Sequence, residues 1–271
     1  MNFPIAFELI NWSAPWLAPY KAIGEPIAKQ VLFGKRVHVA LNDAPDSNPH
    51  IHCPVRFVAQ AESEGAAAYE TFIWQTKTVP TRDNLHDFFN GMMWLHYPRI
   101  KAQLNALQAA AIKEQGVGQH RGKLRDALTL FDENTAFLIE PHDANATLLS
   151  AIQDKAWADA FITHRALWQD ARLLLFGHAL IEKLVTPRKA ITAHVFCPPT
   201  IKGESAFNGN ELSTIDMQMA ALLSAEHLST KPYAPLPLMG VPTWCADNED
   251  FAFYDDAQVF RPPQSALQSA L

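Results

Sequence analysis

The stretch from Thr78 to Lys101, TVPTRDNLHDFFNGMMWLHYPRIK, limits the possible folds more than any other part of the chain. Pro80 bars a helix from running through its start, and the polar run behind it offers Thr81 or Asp83 as an N-cap. Leu85, Phe88, Phe89, Met92 and Met93 then recur at helical spacing as one apolar stripe. Pro98 ends that helix and suits the first turn of the next. The other flank is polar. His86 and Asn90 lie four apart, as do Asp83 and Asp87, and Asp87 and Asn90 lie three apart. Such a helix must bury one side in a core and turn Arg82 to Asn90 towards something polar.

Prolines at 4, 15, 19, 26, 45, 49 and 54 interrupt the first 60 residues. Between them a short helix is expected over Tyr20 to Val31, a turn and strand over Leu32 to Leu41, a loop over Asn42 to Pro49 and a strand over Pro54 to Ala59. Thr71 to Lys77 is expected to be extended, because Thr71, Phe72, Ile73 and Trp74 favour strands. Further helices are expected from Pro98 to Gly116, over Lys123 to Asn134, Ala144 to Asp154, Trp157 to Trp168 and from His178 onward. Ser213 to Leu228 follows as one helix with Ser213 as N-cap. Strands are expected over Ala136 to Glu140 and Ile191 to Phe196, with the apolar run Ala171 to Gly177 open between strand and helix. Tyr233 to Trp244 is expected to be extended and broken by prolines, and the terminus after Arg261 to fray. The pattern predicts an α+β (or α/β) fold: one helix-rich domain over residues 1–271 with a small sheet, and Pro-rich segments 1–60 and 198–271 packed on it.

With 48% hydrophobic and 18% charged residues in 271, the chain can bury a large core. A net charge of −6 gives no general attraction to nucleic acid. No stretch approaches the roughly 18 apolar residues of a membrane helix. The N-terminus lacks the features of a signal peptide. Cys53, Cys197 and Cys245 are odd in number and widely spaced. They predict neither a disulfide framework nor a structural zinc site, and fit a reducing cytoplasm.

Chemistry-bearing residues collect in three blocks. In the first, His86 suits a base or metal ligand with Asp87 as partner, while Arg82, Asn84 and Asn90 surround it. The alternative is that the acids serve the positive end of the helix and His86 is solvated. The second is RGKLRDALTLFDEN, where Arg125, Asp126, Asp132 and Glu133 can hold a divalent cation or form an ion-pair network with Arg121 or Arg125. In the third, FGHALIEKL, His178 and Glu182 are four apart at a helix start. That spacing is not the HExxH of zinc proteases. His50, His52 and Cys53 offer metal ligands without a visible fourth. The chain has no GxGxxG, GxxxxGK[ST] or GxSxG motif.

Together the blocks VPTRDNLHDFFN (with Trp94 and Pro98), RGKLRDALTLFDEN and FGHALIEKL resemble a bacterial family, the domain of unknown function 3025 family, over roughly residues 69 to 185. The resemblance implies a shared fold and no established activity. Thr135 stands where the family pattern has Gly, and Gly91 where it has Ala. Two functions compete. The first is a small-molecule hydrolase-type enzyme with an acid–base or metal-assisted site built from His86, Asp87, Asp132, His178 and Glu182, with a divalent metal as the possible cofactor. The second is a non-catalytic binding or structural module in which the same residues form a buried network. A nucleic-acid surface through Arg82, Arg99, Lys101, Arg121, Lys123 and Arg125 is weakened by the acids among them.

Overall fold

The computed structural model describes residues 5–48, 51–66, 68–116, 122–140, 147–196 and 211–262. It is a helix-rich α+β fold. The first half carries helices α1 (Ile5–Glu8), α2 (Lys21–Leu32), α3 (Val37–Ser47), α4 (Tyr69–Thr76), α5 (Leu85–His96), α6 (Pro98–Gln115) and α7 (Lys123–Asn134). The second half carries α8 (Thr147–Gln153), α9 (His178–Lys183), α10 (Glu211–Leu222) and α11 (Ala225–Ser229). Strands β1 (Arg56–Ala59) and β2 (Thr78–Thr81) form a parallel pair. Strands β3 (Thr135–Ile139), β4 (Arg172–Leu175), β5 (Thr192–Phe196) and β6 (Tyr233–Pro237) form a second sheet in the order β4-β3-β5-β6. In it only β3 and β5 run parallel.

Phe131 of α7, Phe137 of β3, Phe176 and Phe196 of β5 meet edge-on or tilted in the middle of the core, with centroids between 5.1 and 6.0 Å for Phe131 against the other three. Tyr20 donates its hydroxyl hydrogen to the Leu175 carbonyl and touches the Tyr97 hydroxyl, tying the N-terminal segment to β4 and to the α5–α6 junction.

Several expectations change. Residues 37–47 are helix, where a strand and then a loop were expected: Val37, Ala40 and Leu41 share a buried helical face. Asp83, expected as a cap for α5, instead accepts from Val37 N at the start of α3, and its place in α5 is taken by Asn84, which accepts from Asp87 N at 2.8 Å. Residues 69–76 are helix and not strand, because burying Ile73 against α6 outweighs β propensity; Lys77, at φ 57°, stops it. Residues 157–168 do not form one helix. They wind through a π turn and a 3-10 turn that stack Phe161 nearly parallel to Trp157, Trp168 and Tyr254. The helix expected from Ser213 already begins at Glu211 and breaks before Ser224, which caps α11 through His227 N. Residues 144–146 of the helix expected over Ala144 to Asp154, Cys197 and the segment after Pro262 lie outside the described residues. Thr135 closes no tight turn, since β3 starts directly from α7.

Two glycines set close approaches. At Gly91 a Cβ would fall 2.3 Å from Leu41 Cδ1, so the missing side chain lets α3 seat on α5. At Gly177 it would fall 2.5 Å from the Glu133 carbonyl oxygen and 2.6 Å from Asn134 Cα, where backbone cannot yield as a side-chain tip can. Gly177→Ala should therefore cost about 1–3 kcal/mol in denaturant unfolding. A change under about 0.5 kcal/mol would mean that the α7–α9 contact is looser than described.

Candidate functional site

Helix α9 packs against both α5 and α7, and that contact brings the first and third blocks together. His178 opens α9 straight after Gly177, so its ring reaches back to the end of α7. Its Nδ1 lies 2.8 Å from the Asp132 carbonyl oxygen. A carbonyl only accepts, so Nδ1 carries the hydrogen and a neutral ring leaves Nε2 as a lone pair. Burial pushes the His178 pKa down to about 4, against the pull of the Asp132 carboxylate.

His86 Nε2 is 3.2 Å from His178 Nε2, and the two rings meet edge to face. On the other side His86 Nδ1 is 2.9 Å from Glu182 Oε2. A carboxylate and a neutral His178 both ask His86 to donate, which it can do only as the imidazolium. The hydrogen bond to Glu182 accordingly raises its pKa, with burial opposing. Two imidazoles in contact are thus driven in opposite directions.

Behind them lies a second, drier layer. Lys101 Nζ, on a side chain 5% exposed, donates to Asp132 Oδ1 at 2.6 Å and to Asn90 Oδ1 at 2.8 Å. Asn90 Nδ2 donates to the Tyr69 hydroxyl at 3.3 Å. Burial raises the pKa of Asp132, but Lys101 first, and then the two histidines, outweigh it and hold the carboxyl below its ordinary value. At the rim Arg82 grips Asp87 through both its backbone N–H, at 2.6 Å, and its guanidinium, at 2.9 and 3.0 Å.

These groups face a cavity of about 610 Å³, whose wall includes Tyr69, Arg82, His86, Asp87, Asn90, Asp132 and His178. Gln60, Glu70, Gln108, Thr129 and Glu133 complete it. Of the residues singled out in the sequence, Asn84 caps α5 and does not line the cavity. Neither do Arg125 and Asp126, which sit on the outer turns of α7, Asp126 exposed. Glu182 is turned to His86 rather than to His178, its neighbour by helical spacing. Arg121, the other expected partner for Asp132, lies outside the described residues. Sequence reasoning missed Lys101 as part of this site. Its signal was available: Lys101, Leu104 and Asn105 fall on one face of α6, and a lysine amid buried positions needs a buried carboxylate.

As an imidazolium His86 offers no lone pair to a metal ion, which leaves His178 Nε2 as the imidazole donor of the pair. Among the described residues no group of three or more His, Cys, Asp or Glu is arranged to hold one. His50 of the PHIHC segment is outside the described residues, and the Cys53 thiol is pushed up to about 11 by burial, which disfavours the thiolate a metal needs.

The histidines also make stability depend on pH. His178 and the equally buried His96 have folded pKa values lowered to about 4. Below about 6.5 the unfolded chain takes up protons that these two refuse, so stability falls as pH drops from about 6.5 towards 4. His86 acts with the opposite sign: its contribution is present below about 6.5 and is lost as pH rises through its raised folded value. The urea midpoint should be clearly lower at pH 5 than at pH 7, and His178→Gln should remove part of that drop. A midpoint that is flat across this range would contradict the burial of both rings.

No helix among the described residues is long and apolar enough to cross a membrane. A family model described as protein of unknown function (DUF3025) matches residues 55–264. No curated protein and no solved structure matches the chain.

Proposed function

The chain belongs to the DUF3025 family, whose description assigns no activity, and from that premise we propose that it is a small-molecule enzyme of the hydrolase type working by general acid–base chemistry. The observation that carries this is the His86–His178 contact, in which adjacent titratable groups with opposed pKa shifts open onto a cavity. Such a pair divides acid and base roles between its members. His86 is the general acid, giving its Nε2 proton to a leaving group. Once given up, that proton no longer ties up the His178 Nε2 lone pair, which as general base takes a proton from the attacking water and can return it to His86 across the 3.2 Å contact. Glu182 steadies the imidazolium, and the Asp132 carbonyl fixes the His178 tautomer.

The charge balance of the cavity suggests the substrate class. Arg82 neutralises Asp87, Lys101 neutralises Asp132 and His86 neutralises Glu182. Among the described residues Glu70 and Glu133 on the wall have no ion-pair partner, which favours a small substrate bearing a positive charge. The overall acidity of the chain and the acidic wall argue against nucleic acid. Free Cys53 and Cys245 are consistent with a reducing cytoplasm. The alternative is a binding module that takes the same cation without turnover.

The test is hydrolysis of paired small esters and amides with cationic, neutral and anionic acyl or leaving groups. Turnover should favour the cationic members and fall about 10²–10⁴-fold in His86→Gln and in His178→Gln. Calorimetric binding of the cationic compounds without turnover would favour the binding module. Imidazole nitrogen shifts showing both rings neutral at pH 6.5 would remove the acid–base assignment.

A further inference from the structure

A second cavity, of about 540 Å³, lies at the opposite end of α5, where the α5–α6 junction meets α2, α10 and residues 51–54. His86 and His96 are ten residues apart on α5, about 15 Å along its axis, so the two cavities are separate. The second has largely apolar walls, including Ile23, Leu95, Ala102 and Leu212. A mostly apolar pocket of this size with a few placed polar groups is the usual form of a small-ligand site.

His96 is the unusual polar group. It is 8% exposed and lies in the wall. Its Nδ1 donates to the Met92 carbonyl at 2.8 Å, and its Nε2 is an acceptor with no hydrogen-bond partner among the described residues. Burial keeps the ring neutral at physiological pH. Asp216, the carboxylate in the same wall, accepts from the backbone N–H groups of Arg99 at 3.1 Å and Ile100 at 2.8 Å, so its oxygens are committed to the start of α6. Exposed Arg99 and His52 stand at the mouth.

We propose that this cavity is a second ligand site, for a small amphipathic acid. Its apolar body packs between Leu95, Ala102 and Leu212, a hydroxyl or N–H donates to His96 Nε2, and its anionic group lies at Arg99. An acceptor in a mostly buried ring, left open only towards the cavity, gains a hydrogen bond from a donor that arrives with the ligand. A cationic ligand is disfavoured, since it would meet the Arg99 guanidinium at the mouth while the Asp216 oxygens already accept from the start of α6. The ligand chemistry is thus opposite in charge to that of the His86–His178 cavity.

The experiment is titration calorimetry with 4-hydroxybenzoate, benzoate and 4-hydroxybenzamide, together with imidazole and methyl shift mapping. Saturable 1:1 binding of 4-hydroxybenzoate is expected, weaker for benzoate, which lacks the donor, and for the amide, which lacks the charge. Shifts should centre on His96 and Ala102. Ala102→Trp should reduce affinity at least tenfold, and Arg99→Gln, an exposed change that spares the core, should abolish the preference for the acid over the amide. No saturable binding of any of the three overturns the proposal. So do shifts centred on His86 and His178, or an acid preference unchanged in Arg99→Gln.

Discussion

Lys101→Met is expected to destabilise the fold by about 3–5 kcal/mol, the range for a buried ion pair that loses one partner. The lysine is 5% exposed and the Asp132 side chain 18%, so water can replace only part of the solvation the carboxylate loses once Nζ is gone. Methionine fills most of the volume, which separates charge loss from cavity formation. The Asn90 carbonyl oxygen also loses a donor at 2.8 Å. With its strongest pull removed, the Asp132 carboxyl should protonate at a higher pH than in the parent. The variant should regain part of its deficit on acidification, or on adding Asp132→Asn. Urea unfolding of the three proteins at pH 5 and pH 7 decides it. A loss under about 0.5 kcal/mol at pH 7 would show that the pair is solvated and that Asp132 is free for other work.

Phe131→Ala should cost a similar amount, about 3–5 kcal/mol, by a different mechanism. The ring is fully buried and its neighbours Phe137, Phe176, Phe196 and Tyr233 come from strands or strand ends on different elements, so none can relax into the void alone. Because Phe131 immediately precedes Asp132, slack at the ring passes to the Asp132 carbonyl that orients His178. The His178 Nδ1 proton signal should broaden or shift in Phe131→Ala even at temperatures where the variant is folded. If stability falls while that signal is unchanged, the core and the site are mechanically independent.

Local chemistry made much of this architecture legible. The stripe from Leu85 to Met93, Pro98 at a helix start, the apolar run that became β4 and the helix from His178 all carry their signal within a few residues. What failed were stretches where local preference and tertiary demand disagree. VHVAL has strand composition, but a carboxylate from residue 83 caps it as a helix and α5 receives its buried face. Thr71 to Trp74 likewise loses its β preference to the packing of Ile73. The three polar blocks were visible, and so was the need for them to meet. Their wiring was not: Glu182 chooses His86, 96 positions away, over His178, and Lys101 was overlooked for Asp132 because a charge on a helix reads as exposed until its neighbours are known to be buried. The family match from 55 to 264 runs well past the central blocks, in keeping with a sheet that needs β5 and β6 to cover Phe131.

Residue 132 touches the candidate site twice, through its main chain to the His178 ring and through its side chain to Lys101. Aim and electrostatics are therefore written in different parts of one residue. A substitution there can retune the basicity of the imidazole while leaving its direction untouched, since every amino acid brings the same carbonyl. The position behaves as a dial rather than a switch: Asp132→Asn changes the charge beside the ring and keeps the carbonyl that aims it.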